Sequence, residues 1–160
     1  MGTSRFLKRF TPTSSRMPDP SAASIPQAAQ TIRRAKELGL RLVLATNPLF
    51  PAIATRSRIR WAGLNPEDFE LITTYENIGF CKPNPEYYRE ILRRIRVSPE
   101  NCLMVGNDVT EDMAAMELGM GGFVLTDCLI NREGKNLDDY PHGGFPELTE
   151  YLLGAANPNG

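Results

Sequence analysis

Short apolar runs are the feature that most restricts how this chain can fold. The clearest, residues 41–45 (RLVLA), is too short for a helix and too continuous for a half-exposed strand. Runs of this kind are typical of parallel strands that are covered on both faces. Further strand candidates lie at 71–74, 102–105 and 122–125. The chain is therefore expected to build a sheet that is buried on both sides.

Helical patterns alternate with these runs. Residues 85–95 place apolar side chains at the i, i+3, i+4 and i+7 positions of one helix face. Helices are also predicted between Pro26 and Gly39 and over about 51–61, 110–118 and 145–153. This alternation favours an α/β fold with a parallel sheet and right-handed crossover connections.

The first 24 residues have a different composition from the rest of the chain. They are rich in Ser, Thr, Pro and Arg, and residues 1–16 contain basic side chains but no acidic one. This composition predicts a disordered or irregular basic leader over 1–24, with a transit peptide as the alternative. The globular core is expected over 25–154, and 155–160 is expected to be a tail.

Composition excludes several classes of protein. No stretch approaches the ~18 consecutive apolar residues that a membrane helix needs. The three cysteines are far apart and His142 is the single histidine, so neither a disulfide framework nor a structural zinc site is expected. We expect a cytoplasmic protein without a membrane or nucleic-acid partner.

Polar residues follow the predicted strands, and a parallel sheet binds its ligands beyond the carboxyl ends of its strands. The residues concerned are Thr46, Asn47, Lys82, Asn107, Asp108 and Asp112. Hydroxyl and amide groups bind phosphate oxygens, a lysine neutralises their charge, and carboxylate oxygens suit Mg²⁺. Each residue by itself also has a structural interpretation, as a helix cap, a turn residue or a solvated lysine. Together they favour a site for phosphate and Mg²⁺.

Three segments, taken in order, resemble the motifs of the haloacid-dehalogenase-like (HAD-like) hydrolase superfamily. They are the strand ending in Thr46-Asn47-Pro48, the loop Lys82-Pro83-Asn84-Pro85, and the acidic loop at 104–113. The resemblance covers about 26–150 and implies a Rossmann-like three-layer core with a parallel sheet.

The same resemblance implies a chemistry. It is that of a Mg²⁺-dependent phosphomonoester phosphatase, a hydrolase whose substrate is a small phosphorylated molecule. Thr46, Asn47 and Lys82 would bind the phosphate. Asn107, Asp108 and Asp112 would bind the metal, and which of them ligates it directly stays open.

Two departures from the family pattern affect this interpretation. Asn107 stands where the family usually has Asp, so the negative charge must come from Asp108 or Asp112. The family's N-terminal strand ends in Asp-x-Asp, which supplies the nucleophile and the general acid/base. No Asp-x-Asp occurs here, and the first acid, Asp19, is followed two positions later by Ser21. We therefore predict that the central first strand, the cap domain and the catalytic nucleophile are missing.

Three hypotheses follow and stay open at this point. The chain is a truncated hydrolase that is inactive by itself, a non-catalytic phosphate-binding or regulatory module, or one half of a hydrolase that a second chain completes. A missing central strand would also expose the edges of two strands, which favours self-association. The segment Ser4–Phe10 is predicted to be a poor replacement, because Arg5, Lys8 and Arg9 would enter a buried strand.

Overall fold

The computed structural model describes residues 6–8 and 24–156, and its strands form one six-stranded sheet. The strands are β1 (Phe6–Lys8), β2 (Arg41–Leu44), β3 (Leu71–Ile72), β4 (Cys102–Gly106), β5 (Gly121–Leu125) and β6 (His142–Gly143). Their order across the sheet is β3-β2-β1-β4-β5-β6, and all neighbours are parallel. The helices are α1 (Ser24–Glu37), α2 (Ala52–Trp61), α3 (Pro85–Ile95), α4 (Val109–Met113) and α5 (Phe145–Ala156).

Alternate strand residues fill two apolar cores on opposite faces of the sheet. Leu42 and Leu44 of β2 belong to the core that includes residues of α1, α2 and α5. Val43 belongs to the core that includes residues of α3 and α4. Successive side chains of a strand point to opposite faces, so β2, which contributes to both cores, is apolar at each position from Leu42 to Leu44. The predicted three-layer α/β architecture is therefore confirmed.

Helix α3 shows how local sequence fixes one of these layers. Asn84 caps it by accepting a hydrogen bond from Glu86 N (2.9 Å), and Pro85 occupies the first turn, where its fixed φ is favourable. The apolar stripe predicted from the spacing is buried, and the helix ends where Arg96 adopts a left-handed conformation (φ 56°). The observed bounds are those predicted from sequence.

Strand β1 lies in the middle of the sheet, where the sequence analysis predicts a gap. Its Leu7 is in register with Leu42 of β2 on one side and with Leu103 of β4 on the other. The prediction that the central strand is missing is therefore wrong for the backbone of the sheet. Without β1, the facing edges of β2 and β4 would bury unpaired N–H and C=O groups, and an extended segment satisfies them whatever its side chains are. Phe6–Lys8 lies within the segment that the sequence disfavours for this role.

The remaining elements follow the predictions, with two differences. The helix predicted over 110–118 is the short α4 followed by a 3₁₀ segment, Ala114–Leu118. The edge strand β6 has no apolar run that would predict it, because it consists of His142 and Gly143. The predicted leader and tail lie mostly outside the described residues and stay predictions.

Among the residues that the structure describes, no helix is long and apolar enough to cross a membrane.

A proline in β1 is expected to destabilise the protein. Leu7→Pro removes a backbone N–H from a strand that pairs on both sides, and an unpaired buried acceptor costs about 1–3 kcal/mol. Urea unfolding should show this loss, whereas Leu7→Val keeps the N–H and should change the free energy of unfolding much less. Equal stability of the two variants would mean that β1 does not hold the sheet together.

Candidate phosphate-binding site

The polar residues predicted at the strand ends lie at one edge of the sheet. Thr46 and Asn47 follow β2, while Asn107 and Asp108 follow β4, and these strands flank β1. Lys82 precedes α3 and makes hydrogen bonds to residues of both other segments. Direct contacts therefore join the three loops that the sequence singled out.

Two buried hydroxyl groups hold the backbone of Thr46. Thr73 Oγ1 accepts a hydrogen bond from Thr46 N (2.8 Å) and donates one to Thr46 O (2.6 Å). Tyr87 OH also donates to Thr46 O (2.7 Å), and both Thr73 and Tyr87 are fully buried. Among the residues that the structure describes, the Thr46 hydroxyl makes only a long contact, 3.4 Å, with Asn47 O. Its peptide is therefore fixed while the hydroxyl can still turn toward a ligand.

The loop after β2 is fixed to the loop after β3. Tyr75 N donates to Phe50 O (3.0 Å), and Ala52 N, at the start of α2, donates to the Glu76 carboxylate (3.0 Å). The hydrogen bond from Ala52 lowers the pKa of Glu76. This contact adds stability above the unfolded-state pKa of Glu76, and the contribution is lost as the pH falls through the lowered folded-state pKa.

Asn47 bridges the two other loops with both ends of its side-chain amide. Asn47 Oδ1 accepts a hydrogen bond from Lys82 N (2.8 Å). Asn47 Nδ2 donates to Glu111 Oε2 (3.0 Å). The side chain of this predicted phosphate ligand is therefore engaged with protein on both of its polar atoms.

Lys82 and Asp112 form a buried ion pair. Lys82 Nζ lies 2.7 Å from Asp112 Oδ1, and neither side chain has exposed surface. The other carboxylate oxygen, Asp112 Oδ2, accepts a hydrogen bond from Asp108 N (3.1 Å). A Cβ atom at Gly106 would lie 2.0 Å from Asp112 Oδ2, so only glycine leaves room for the carboxylate. The pair therefore depends on the glycine that ends β4.

The acidic loop after β4 starts helix α4. Asp108 is the N-cap, and its Oδ1 accepts hydrogen bonds from Thr110 N (3.1 Å) and Glu111 N (2.9 Å). Asn107 Nδ2 donates to Cys128 O (2.6 Å). Within the described part of the chain, Asn107 Oδ1 and Asp108 Oδ2 are left without a hydrogen bond. These two oxygens can therefore serve another ligand.

The two oxygens are of the kind that Mg²⁺ binds. Magnesium commonly takes one or two protein oxygens and completes its octahedral shell with waters and phosphate oxygens. Asp112 fits less well, since Lys82 and Asp108 N occupy its two oxygens, and its role at the metal stays a prediction. The described residues contain no cluster of three His, Cys, Asp or Glu side chains that would hold a metal. Of the three residues predicted to hold the metal, Asn107 and Asp108 are therefore those with an oxygen that is not hydrogen-bonded within the described part of the chain.

Sequence reasoning missed three residues that organise the site. They are Thr73, Tyr87 and Glu111. Thr73 and Tyr87 lie in a predicted strand and a predicted helix, where they resemble ordinary core positions. A hydroxyl in a buried stripe is the signal that could have identified both, because a buried hydroxyl needs a hydrogen-bond partner.

The sequence also matches a known family. Residues 21–118, more than half of the chain, match the family model of haloacid dehalogenase-like hydrolases. The chain belongs to this HAD-like family. The match confirms the family that the order of the three loops indicates.

Two curated HAD-like relatives illustrate the similarity. The protein YhcW of Bacillus subtilis (strain 168) is 31% identical over 138 residues, which are 86% of this chain and 56% of YhcW. The glyceraldehyde 3-phosphate phosphatase of Methanothermobacter thermautotrophicus is 29% identical over 114 residues, which are 71% of this chain and 49% of that enzyme. The chain spans about half the length of these relatives.

Solved structures share the fold. A HAD phosphatase from Thermococcus onnurineus has a TM-score of 0.63 at 24% identity, over 79% of this chain and 57% of that chain. CbbY from Rhodobacter sphaeroides, solved with phosphate, has a TM-score of 0.61 at 25% identity, over 77% and 55%. An uncharacterised Listeria monocytogenes protein has a TM-score of 0.69 at 14% identity, over 94% and 97%. The predicted HAD-like core is thus confirmed as a fold.

Breaking the buried ion pair is expected to destabilise the protein strongly. Asp112→Ala leaves the Lys82 charge buried without this partner, and such a change costs about 3–5 kcal/mol. The matched control is Glu67→Ala, which removes one partner of the exposed Arg56–Glu67 pair and should cost about 1 kcal/mol or less. Urea unfolding measures both losses, and losses of equal size would contradict the importance of the buried pair.

Proposed function

We propose that this chain forms the phosphate- and Mg²⁺-binding part of a HAD-like phosphomonoester phosphatase. The observation that carries the proposal is the direct connection of three polar loops at the carboxyl ends of β2 and β4. Asn47 connects the loop after β2 to the other two, and the Lys82–Asp112 pair connects those two to each other. Family membership supports the same chemistry.

Each loop has a distinct role in this proposal. The Thr46 hydroxyl donates a hydrogen bond to a phosphate oxygen, and the Lys82 ammonium group offsets the phosphate charge. Asn107 Oδ1 and Asp108 Oδ2 would hold Mg²⁺, which supplies further positive charge to the phosphate oxygens when it is bound. The hydrogen bonds of Thr73 and Tyr87 with the Thr46 backbone keep the Thr46 hydroxyl close to the proposed phosphate position. Little rearrangement is therefore needed when phosphate binds.

The attacking group is the part that this sequence does not provide. In an aspartyl-phosphate mechanism a carboxylate attacks phosphorus. The residues after β1 are Arg9, Phe10 and Thr11, and the first acid after them is Asp19. We infer that the 160 residues bind phosphate and do not hydrolyse phosphomonoesters by themselves. A polypeptide segment carrying Asp-x-Asp would complete the enzyme.

A second candidate function is a non-catalytic phosphate-binding or regulatory module. The observation in its favour is that Asn47, Lys82 and Asp112 are joined by hydrogen bonds and an ion pair although the sequence contains no Asp-x-Asp. The two candidates differ in one respect: only the first gains phosphatase activity when a polypeptide carrying Asp-x-Asp is supplied.

The substrate class is a small phosphorylated molecule. One relative is named for glyceraldehyde 3-phosphate, and the similar CbbY structure contains phosphate. Both names support a site that recognises the phosphate group of its substrate. The residues named above would contact the phosphate group and Mg²⁺, and this proposal gives none of them a role in binding the organic part of the substrate.

Inorganic phosphate with Mg²⁺ is expected to bind with a Kd on the order of millimolar. Thr46→Val should weaken binding because it removes the donor hydroxyl while keeping the shape of the side chain. Asp108→Asn should weaken its Mg²⁺-dependent part. Chemical-shift titration measures both effects. The control is Asp68→Asn, because Asp68 precedes the amino end of β3, whereas the proposed site lies at the carboxyl ends of the strands. No response at tens of millimolar phosphate, or equal affinity in all variants, would refute the proposed site.

Hydrolysis of p-nitrophenyl phosphate by the 160-residue chain is expected to stay at background with and without Mg²⁺. The reason is the missing carboxylate nucleophile. A colorimetric assay decides the point, with Lys82→Ala as the site-specific control. Turnover that disappears in Lys82→Ala would mean that another acid, such as Asp19, has taken the role of the nucleophile.

A further inference from the structure

The side chain of Asn47 contacts two different loops and makes one hydrogen bond to each. Its oxygen accepts from the backbone N–H of Lys82 (2.8 Å), and its nitrogen donates to the Glu111 carboxylate (3.0 Å). An Asn side-chain nitrogen carries two N–H groups, and one of those of Asn47 donates to the Glu111 carboxylate. Together with the bond from Lys82 N–H to its oxygen, this contact holds the amide group between the two loops.

Glu111 is itself held by its backbone. Glu111 N donates to Asp108 Oδ1 (2.9 Å), and Tyr88 OH donates to Glu111 O. The residue is therefore attached both to the cap of α4 and to helix α3. The fixed backbone keeps the Glu111 carboxylate within reach of the Asn47 amide, and a hydrogen bond to a charged acceptor is stronger than one to a neutral acceptor.

Lys82 is tied to α4 at two points as a result. Its ammonium group reaches Asp112 directly (2.7 Å), and its backbone N–H reaches Glu111 through Asn47. A long flexible lysine side chain points in a defined direction only when both its backbone and its head are fixed. The second contact supplies the fixed backbone.

We infer that Asn47 and Glu111 are positioning residues that set the place of Lys82, and that this positioning, rather than a direct contact with phosphate, is the main role of the Asn47 side chain. The inference rests on the proposed function for the role of Lys82. It changes the role predicted for Asn47 and adds Glu111, which has no role in the sequence analysis.

Because Glu111 is negatively charged, the direction in which its removal changes phosphate affinity tests the inference. A carboxylate close to an anion site repels phosphate, so its removal by itself should tighten phosphate binding. If Glu111 positions Lys82 through Asn47, its removal should instead weaken binding. The two explanations therefore predict opposite changes for Glu111→Ala.

The first measurement needs no ligand. Amide hydrogen exchange of Lys82 is followed by NMR in the 160-residue protein and in four variants. Asn47→Ala and Glu111→Ala should speed the exchange of the Lys82 N–H about fivefold or more, the size of one net hydrogen bond. Glu111→Gln keeps an oxygen acceptor and should stay near the wild-type rate. Glu117→Ala, an exposed carboxylate on the 3₁₀ segment after α4, is the matched control.

The second measurement is the Kd for inorganic phosphate with Mg²⁺. Asn47→Ala and Glu111→Ala should each weaken binding about fivefold, and the double variant should bind no more weakly than Asn47→Ala. Glu111→Gln should bind at least as well as wild type. Such non-additivity is expected only if both residues act through the same contact.

Several outcomes would overturn the inference. Tighter phosphate binding in Glu111→Ala would show a purely electrostatic role for Glu111. Weaker binding in Asn47→Ala with unchanged binding in Glu111→Ala would show that Asn47 contacts phosphate directly. Unchanged Lys82 exchange in both alanine variants would show that the bridge does not hold the Lys82 backbone. Absence of phosphate binding in wild type would refute the proposed function, while the exchange data would still decide the positioning role.

Discussion

The buried ion pair between Lys82 and Asp112 is the interaction on which the rest of the site depends. Both side chains are removed from water and pair with each other, and the loop before α3 is thereby connected to α4. The pair sets conditions on its surroundings. Gly106 must lack a Cβ, and the backbone N–H of Asp108 must point at the second carboxylate oxygen. The end of β4 and the start of α4 are therefore shaped by this one contact.

The centre of the sheet obeys a different kind of constraint. Three residues of β1 pair with β2 and β4, and the pairing uses backbone groups that every residue except proline has. The need to satisfy two facing strand edges is a property of the whole sheet, and it selects an extended segment with little regard to its side chains. This explains how a basic segment without a hydrophobic pattern comes to form the central strand of the sheet.

Uncharged side chains hold much of the candidate anion site in place. Thr73 and Tyr87 fix the Thr46 peptide from the buried side, and Asn47 connects two further loops through a single amide. Each of these groups is hydrogen-bonded to protein, whereas, within the described residues, the Thr46 hydroxyl, Asn107 Oδ1 and Asp108 Oδ2 remain for ligands. Polar groups that are oriented before a ligand arrives do not have to be reorganised when it binds.

The sequence by itself determined the α/β class, the bounds of α3 and the positions of β2, β4 and β5. These elements depend on local signals: apolar runs for the strands and a helical stripe for α3. The sequence also indicated the family, because the three loops carry distinctive residues in a fixed order. Only the tertiary structure decided that β1 is the central strand and that Thr73, Tyr87 and Glu111 belong to the site. Strand pairing and side-chain hydrogen bonds join residues far apart in the chain, such as Asn47 and Glu111, and no local pattern records which partners will meet.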